Sequence, residues 1–362
     1  MSCMSWLGRI ATRFFVTGGF HPEHYLAAVI PVERFIRRQI ATGIHKRDQQ
    51  DLADVAPTSS SEAIERGTRA ELVKERAAAT ICKTLHSKWH DFHLGPGFVS
   101  VVSGLPKDFA SSRFRRGQFG DDAWFIARNS NADVIGVADG VGGWRNYGLD
   151  PGEFSFTLMQ ACERLVEGGL FVPSKPAGLL ATGYSHLRRL KEVKGSSTAC
   201  VVVLSRKDSV LYCANLGDSG FVVLRDGEIV HRSKEQTHGF NTPYQLACPP
   251  PGEVGLCDSP DSADLSQLSV RDGDVILLAT DGVFDNLPET MLLAELIKIQ
   301  GEKDPLHLQT AANAIVLMAR TIAFDSKYMS PFARNAQQNG INAMGGKPDD
   351  ITVLLATVSM DK

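Results

Sequence analysis

Five places in the chain put a carboxylate where an apolar run meets a turn. They are Asp121-Asp122 in GDDAWF (120–125), Asp139-Gly140 after DVIGVA, Asp218 after SVLYCANLG, Asp281-Gly282 after DVILLAT, and Asp349-Asp350 before ITVLL. Aspartates gathered at strand ends without partners repel one another, and burying each costs several kcal/mol. Divalent cations remove that penalty, and oxygen-only donors suit hard ions such as Mn²⁺ or Mg²⁺. Several aspartates hold two such ions about 3.5–4 Å apart, with a bridging water that loses its proton near neutral pH. A glycine after Asp139 lets the backbone come close to an ion and offer its carbonyl. Taken singly, Asp-Gly is a common turn; five acidic sites at strand ends in one chain call for a chemical reason.

The elements that must position these acids are short, β-branched runs. DVIGVA (133–138), TACVVVLS (198–205), SVLYCANLG (209–217), FVVLRDGEIV (221–230), DVILLAT (274–280) and DITVLLATV (350–358) have strand length and composition. Asp226-Gly227 reads as a hairpin turn. Phe154, Leu158, Cys162 and Leu165 recur at helical spacing after Pro151-Gly152. Further helices are expected at 289–300 and 306–322, and a loop at 335–347. Antiparallel strands with inserted helices imply an α+β fold, a central antiparallel β-sandwich flanked by helices, with the acids converging on one end.

Composition narrows the function classes. The chain has 362 residues, 43% hydrophobic and 22% charged, which is globular rather than disordered. A net charge of −3 argues against general nucleic-acid or acidic-membrane binding. The seven cysteines are scattered without C-x-x-C, which implies reduced thiols rather than disulfides or a zinc ribbon. No run of 18 apolar residues suggests a transmembrane segment. GVADGVGG is not G-x-G-x-x-G, and no GK[ST] follows a glycine loop, so dinucleotide and P-loop readings fail. Residues 1–95 read as an N-terminal extension and 96–359 as the catalytic domain. The first 22 residues contain no acid, and on a helix Arg9 and Arg13 share one face while Trp6, Ile10 and Phe14 line another, as in a mitochondrial presequence. A helix is expected at 68–93. Its His86, His90 and His93 share one face, read as a polar face rather than a metal patch.

The same residues resemble the metal-dependent Ser/Thr protein phosphatases of the 2C type, the PPM family, in order over residues 97–358. Gly120-Asp121-Asp122-Ala123 resembles G-E-D-A, and Val137-Ala138-Asp139-Gly140 resembles V-x-D-G. Gly195-Ser196-Ser197-Thr198-Ala199 resembles G-S-T-A, and Asn215-Leu216-Gly217-Asp218-Ser219 resembles N-x-G-D-S. Ala279 to Asp285 resembles A-[ST]-D-G-[LV]-[FW]-D, and Asp349-Asp350-Ile351-Thr352 the closing D-[ND]-[IMV]-[ST]. The D-G-V-G-G-W form and the arginine-bearing N-terminus resemble the family's mitochondrial branch, which implies a mitochondrial, matrix location.

The resemblance implies hydrolysis of phosphoserine and phosphothreonine in phosphoproteins by direct attack of a metal-bridging hydroxide. It implies that Asp139 bridges two Mn²⁺ or Mg²⁺ ions and that Gly140 gives one its carbonyl. Asp281 and Asp349 would hold the other, Asp122 would act through water, and Asp218 would support a weaker third ion. Two departures stand out. Val141 occupies the place where the family often has a leaving-group histidine. The phosphate-binding arginine lacks exact register among Arg113, Arg115 and Arg116; Arg116 is favoured, with Arg145 a further candidate. The alternatives are a catalytically silent relative that binds partners, or a metal-dependent hydrolase of small phosphates. Oligomeric state has no signature in the sequence.

Overall fold

The computed structural model describes residues 95–108 and 115–360. The presequence reading, the helix at 68–93 with its three histidines, and Arg113 lie outside the described residues.

The strands are β1 (Gly97–Leu105), β2 (Gln118–Phe119), β3 (Asp122–Arg128), β4 (Ala132–Asp139), β5 (Gly195–Ser197), β6 (Ala199–Ser205), β7 (Val210–Leu216), β8 (Gly220–Arg225) and β9 (Glu228–Arg232). They continue with β10 (Thr237–Gly239), β11 (Thr242–Pro243), β12 (Leu246–Cys248), β13 (Asp264–Ser269), β14 (Val275–Ala279) and β15 (Ile351–Ser359). Six of them form one sheet in the order β13-β7-β6-β4-β3-β2, and five form another in the order β1-β15-β14-β8-β9. Every pairing within both sheets is antiparallel.

Strand alternation sorts the side chains into three apolar layers. Ile135, Val137, Val202, Phe221, Ile276, Leu278 and Leu354 fill the space between the sheets. The outer face of the six-stranded sheet packs on helices α1 (Pro151–Glu167) and α2 (Pro176–Arg189) through Val134, Val203, Phe154, Leu158 and Leu180. On the other side, Leu277 and Leu355 meet the helices that follow α3 (Asp281–Phe284), namely α4 (Glu289–Leu296) and α5 (Pro305–Ala323), through Leu292 and Ile315. A further helix, α6 (Pro331–Gln338), leads to the last strand. The expected helix-flanked sandwich is therefore present. Its central strands are buried on both faces, which is why they read as unbroken apolar runs.

Local chemistry accounts for the elements. Asp150 caps α1 by accepting from the Gly152 N–H at 3.1 Å, Pro151 opens its first turn, and Phe154, Leu158, Cys162 and Leu165 are buried as the periodicity implies. Burial of Phe154 or Leu158 is worth about 2–3 kcal/mol each. Asp226 and Gly227 both have positive φ, 51° and 80°, the twist a two-residue hairpin demands between β8 and β9.

Five elements stand out against expectation. Asp122 does not merely precede the first strand: it opens β3, which follows the unforeseen β1. Helix α2 and strand β13 were also unforeseen. The 335–347 segment is not loop throughout, because α6 runs to Gln338. Pro331 opens that helix, and the Ser330 side chain caps it by accepting from the Ala333 N–H at 3.1 Å.

Candidate metal centre

The acids come together at one end of the sandwich because both sheets present strand termini there. Asp122 at the start of β3 and Asp139 at the end of β4 are direct cross-strand partners. Like charges facing each other across a ladder disfavour pairing, so the surrounding sheet must impose this one. Asp281 follows β14 and Asp349 precedes β15, which are adjacent antiparallel strands. Asp218 lies in the connection from β7 to β8, where the chain passes from one sheet to the other. Carboxylate oxygens of Asp139, Asp218 and Asp281 all lie within 4.8 Å of one another.

Hydroxyls and backbone groups hold this arrangement. Thr280 Oγ1 donates to Asp122 Oδ2 at 2.7 Å and accepts from the Thr352 N–H at 3.2 Å. Thr198 accepts from the Asp139 N–H through Oγ1 at 3.0 Å, while its own N–H donates to the Asp139 carbonyl at 2.9 Å. The Thr198 hydroxyl also lies 2.8 Å from that of Ser219, beside Asp218. Asp350 serves the backbone instead. Its Oδ2 accepts from the Asp121 N–H at 2.7 Å, and its carboxylate lies against Gly120, whose φ of +67° also requires glycine.

Gly140 is required by the packing of the chain itself. A Cβ there would meet the Pro151 carbonyl at 2.5 Å and the Asp121 carbonyl at 2.9 Å, and the Gly140 N–H donates to Asp121 O at 3.1 Å. The crowding comes from the chain itself. Gly282 has the same character, with the Asp350 carbonyl inside the volume a Cβ would need.

Electrostatics show what the cluster lacks. Burial, then the charges of Asp281, Asp122, Asp349 and Asp218, push the Asp139 carboxyl far above the usual range. Burial and Asp350 do the same to Asp122; burial and Asp281 do so to Asp218. Asp349 rises to about 6, through burial and Asp281. Three buried oxygens, Asp122 Oδ1, Asp218 Oδ1 and Asp281 Oδ1, have no hydrogen-bond partner among the described residues. Orphaned carboxylate oxygens converging from two sheets, with hard donors only, fit a divalent cation.

Two members of the site were not singled out from the sequence. Lys347 bonds to Asp281 Oδ2 and, at 2.7 Å, to Asp285 Oδ2, and lies 3.5 Å from Asp349 Oδ2. Burial lifts Asp285 to about 7 against the pull of Lys347. Asp285 had a signal, since Asp281 and Asp285 are four residues apart on one helical face. Lys347, in a Gly-Gly-Lys-Pro stretch, had none.

The arginines separate. Arg116, with a side chain 81% exposed, pairs with Glu163 of α1 at 3.3 Å. It lines a surface cavity with Trp124, Phe156 and Gln160, none of which belongs to the acidic cluster. This placement does not match the expected phosphate contact. Arg115 stacks on Phe156 and reaches Glu153. Arg145 instead chelates the Asp121 carboxylate at 2.6 and 2.7 Å while its side chain stays 56% exposed, with Asp121 one residue from Asp122. Val141 places an apolar side chain after Gly140, and its N–H donates to Ser196 O.

A family model described as protein phosphatase 2C matches residues 124–242, which include Asp139, Gly140 and Asp218. A protein phosphatase PTC7 homolog of Danio rerio is 56% identical over 265 residues, covering 72% of this chain and 89% of that protein. The Homo sapiens protein phosphatase PTC7 homolog is 54% identical, covering 73% and 88%. Among solved structures, the photosystem II phosphatase PBCP superposes with a TM-score of 0.61 at 27% identity, covering 73% of this chain and 99% of that one.

Proposed function

The chain belongs to the protein phosphatase 2C family and is a metal-dependent serine/threonine protein phosphatase; from that premise we propose how its own residues bind and turn over a phosphoprotein. The observation that carries the reading is the set of orphaned oxygens on Asp122, Asp218 and Asp281 beside Asp139, which need cations and have hard donors to offer. Asp139, the Gly140 carbonyl, Asp281 and Asp349 would hold two Mn²⁺ or Mg²⁺ ions, with Asp122 acting through water and Asp218 closing the side next to Asp281. When bound, the ions neutralise charge on the phosphoryl oxygens and lower the pKa of water at neutral pH.

The remaining work falls to the chain. Thr280 and Thr198 fix the directions of Asp122 and Asp139 by the hydrogen bonds they make. Arg145, presented by Asp121 at the rim, supplies the guanidinium for a substrate phosphate in place of Arg116. Val141 has no proton to give a leaving alkoxide, so that proton is drawn from solvent at the open face of the cluster. The acid-free N-terminal segment with Arg9 and Arg13 supports a mitochondrial matrix location, which fusing residues 1–30 to a fluorescent reporter would test.

The deciding experiment is hydrolysis of a phosphothreonine peptide by the full chain with Mn²⁺, with Mg²⁺ and after exhaustive EDTA treatment. The expected result is turnover that needs the metal. A well-folded, metal-bound protein without turnover would favour the partner-binding relative, and turnover that survives EDTA would remove the metal mechanism.

A further inference from the structure

We infer that the Lys347 ammonium is a tethered cation that stands in the place of an additional metal ion, so that it sets how many ions the site takes. The inference rests on the metal reading above and adds a determinant of ion number.

The cluster divides into two halves. In the inner half, Asp122 Oδ1, Asp218 Oδ1 and Asp281 Oδ1 are buried without hydrogen bonds among the described residues. In the outer half, every carboxylate meets one nitrogen. Lys347 Nζ touches the second oxygen of Asp281, Asp285 Oδ2 at 2.7 Å and, more loosely, Asp349 Oδ2 at 3.5 Å. Three carboxylates around one point is a donor set a hard cation would take. Here it is filled by a covalently attached charge.

This lysine is not a surface side chain that happens to reach inward. Its side chain is 16% exposed. Its backbone is clamped by the fully buried Asn286: the Lys347 N–H donates to Asn286 Oδ1 at 2.8 Å, and Asn286 Nδ2 donates to Lys347 O at 2.9 Å. Asn286 Nδ2 also donates to the Gly282 carbonyl, which ties the lysine to the Asp281 turn. The ring of Phe332 on α6 lies 5.4 Å from the ammonium, and the Phe332 N–H donates to the Asp285 carbonyl at 2.9 Å. Asp281, Asp285, Asn286, Phe332 and Lys347 therefore form one built unit. A strongly hydrated ammonium held this way is a fixed point charge. It meets Asp285 Oδ2 and Asp281 Oδ2, and leaves Asp281 Oδ1 buried without a hydrogen-bond partner among the described residues.

The test counts ions, independently of turnover. The full chain, freed of metal, is titrated with Mn²⁺ alone, with free Mn²⁺ followed by electron paramagnetic resonance and heat by calorimetry. The wild type should bind two ions. Lys347→Met should bind three, the extra one lost again in Lys347→Met/Asp285→Asn, while Lys347→Arg should keep two because it keeps the charge. Thermal melting in EDTA identifies variants that fold; if Lys347→Met does not, Lys347→Gln carries the same expectation. Equal counts in wild type and folded Lys347→Met would overturn the inference and leave the phosphatase reading standing. Three ions on the wild type would overturn it too, by showing the ammonium displaced. A fall in kcat/KM with an unchanged count would make Lys347 a phosphate contact instead. No Mn²⁺ on the wild type would remove the metal reading itself, and the inference with it.

Discussion

Asp139→Asn should make the metal-free protein more stable while disabling it. Asp139 is enclosed by the cluster, faces four acidic neighbours, and draws its raised pKa from burial and from their charges. At the 4.8 Å spacing of the cluster, with an effective dielectric near 20, one carboxylate pair repels by about 3.5 kcal/mol. The amide introduced must find its own partners, which takes back about 1 kcal/mol. A net gain of about 2 kcal/mol corresponds to a rise in Tm of about 4–8 °C for a domain of this size. The sign with pH is fixed by the direction of the shift. A carboxylate whose folded pKa lies above its unfolded 3.8 weakens the fold as pH rises through that window. The gain should be complete only above the raised value and close as pH falls toward 3.8. The same charge attracts the ion, so losing about 3 kcal/mol of it weakens Mn²⁺ binding about 100-fold. Calorimetric melts in EDTA and in Mn²⁺, at pH 5 and pH 8, beside peptide hydrolysis, give all of these readings. A metal-free Asn variant whose advantage over wild type does not grow as pH rises, or one that keeps the full Mn²⁺-induced shift, would refute the reasoning.

Thr280→Val removes the hydroxyl that fixes Asp122 and should weaken Mn²⁺ binding by about 10-fold or more with the fold retained, as calorimetric titration would show. Gly282→Ala places a methyl group against the Asp350 carbonyl and should destabilise by more than about 2 kcal/mol, read as a lower denaturation midpoint. Arg116→Ala, which breaks only an exposed pair with Glu163, should leave kcat/KM for a phosphopeptide within about twofold. Arg145→Ala should lower it more than about tenfold, the loss of a charged hydrogen bond to phosphate; the reverse order would restore Arg116 as the contact.

The site was legible where its logic is local. An apolar strand that ends on Asp-Gly announces itself in the chain, and Asp139 and Asp281 do so at β4 and β14. The hairpin at Asp226-Gly227 is equally local. What was hidden depends on long-range closure. Lys347 reaches Asp281 across 66 positions, and its role comes from the Asn286 clamp that a Gly-Gly-Lys-Pro run does not advertise. Arg116 and Arg145 are told apart by the acid each meets, Glu163 on a helix or the buried Asp121 beside Asp122. The missed elements were hidden for different physical reasons. β13 reads DLSQLS because it is a largely polar edge strand whose two leucines are three residues apart and so break the two-residue alternation, and α2 carries two glycines that weaken its helical pattern.

Strand β4 carries an aspartate near each end, and the two have opposite fates. Asp133 is buried against Arg206 and accepts from the Phe98 N–H at 2.7 Å. On the neighbouring sheet, Asp274 at the same far end is chelated by Arg225 at 2.7 and 2.8 Å. That end is sealed by groups the polypeptide brings with it. At the near end Asp139 has carboxylates for neighbours, and Thr280 bonded to Asp122 ties the two sheets there without neutralising them. Folding and activation are thereby separated along the axis of one sandwich. The far seams are therefore expected to close without divalent cation, and the supply of that cation to set what fraction of folded molecules can work.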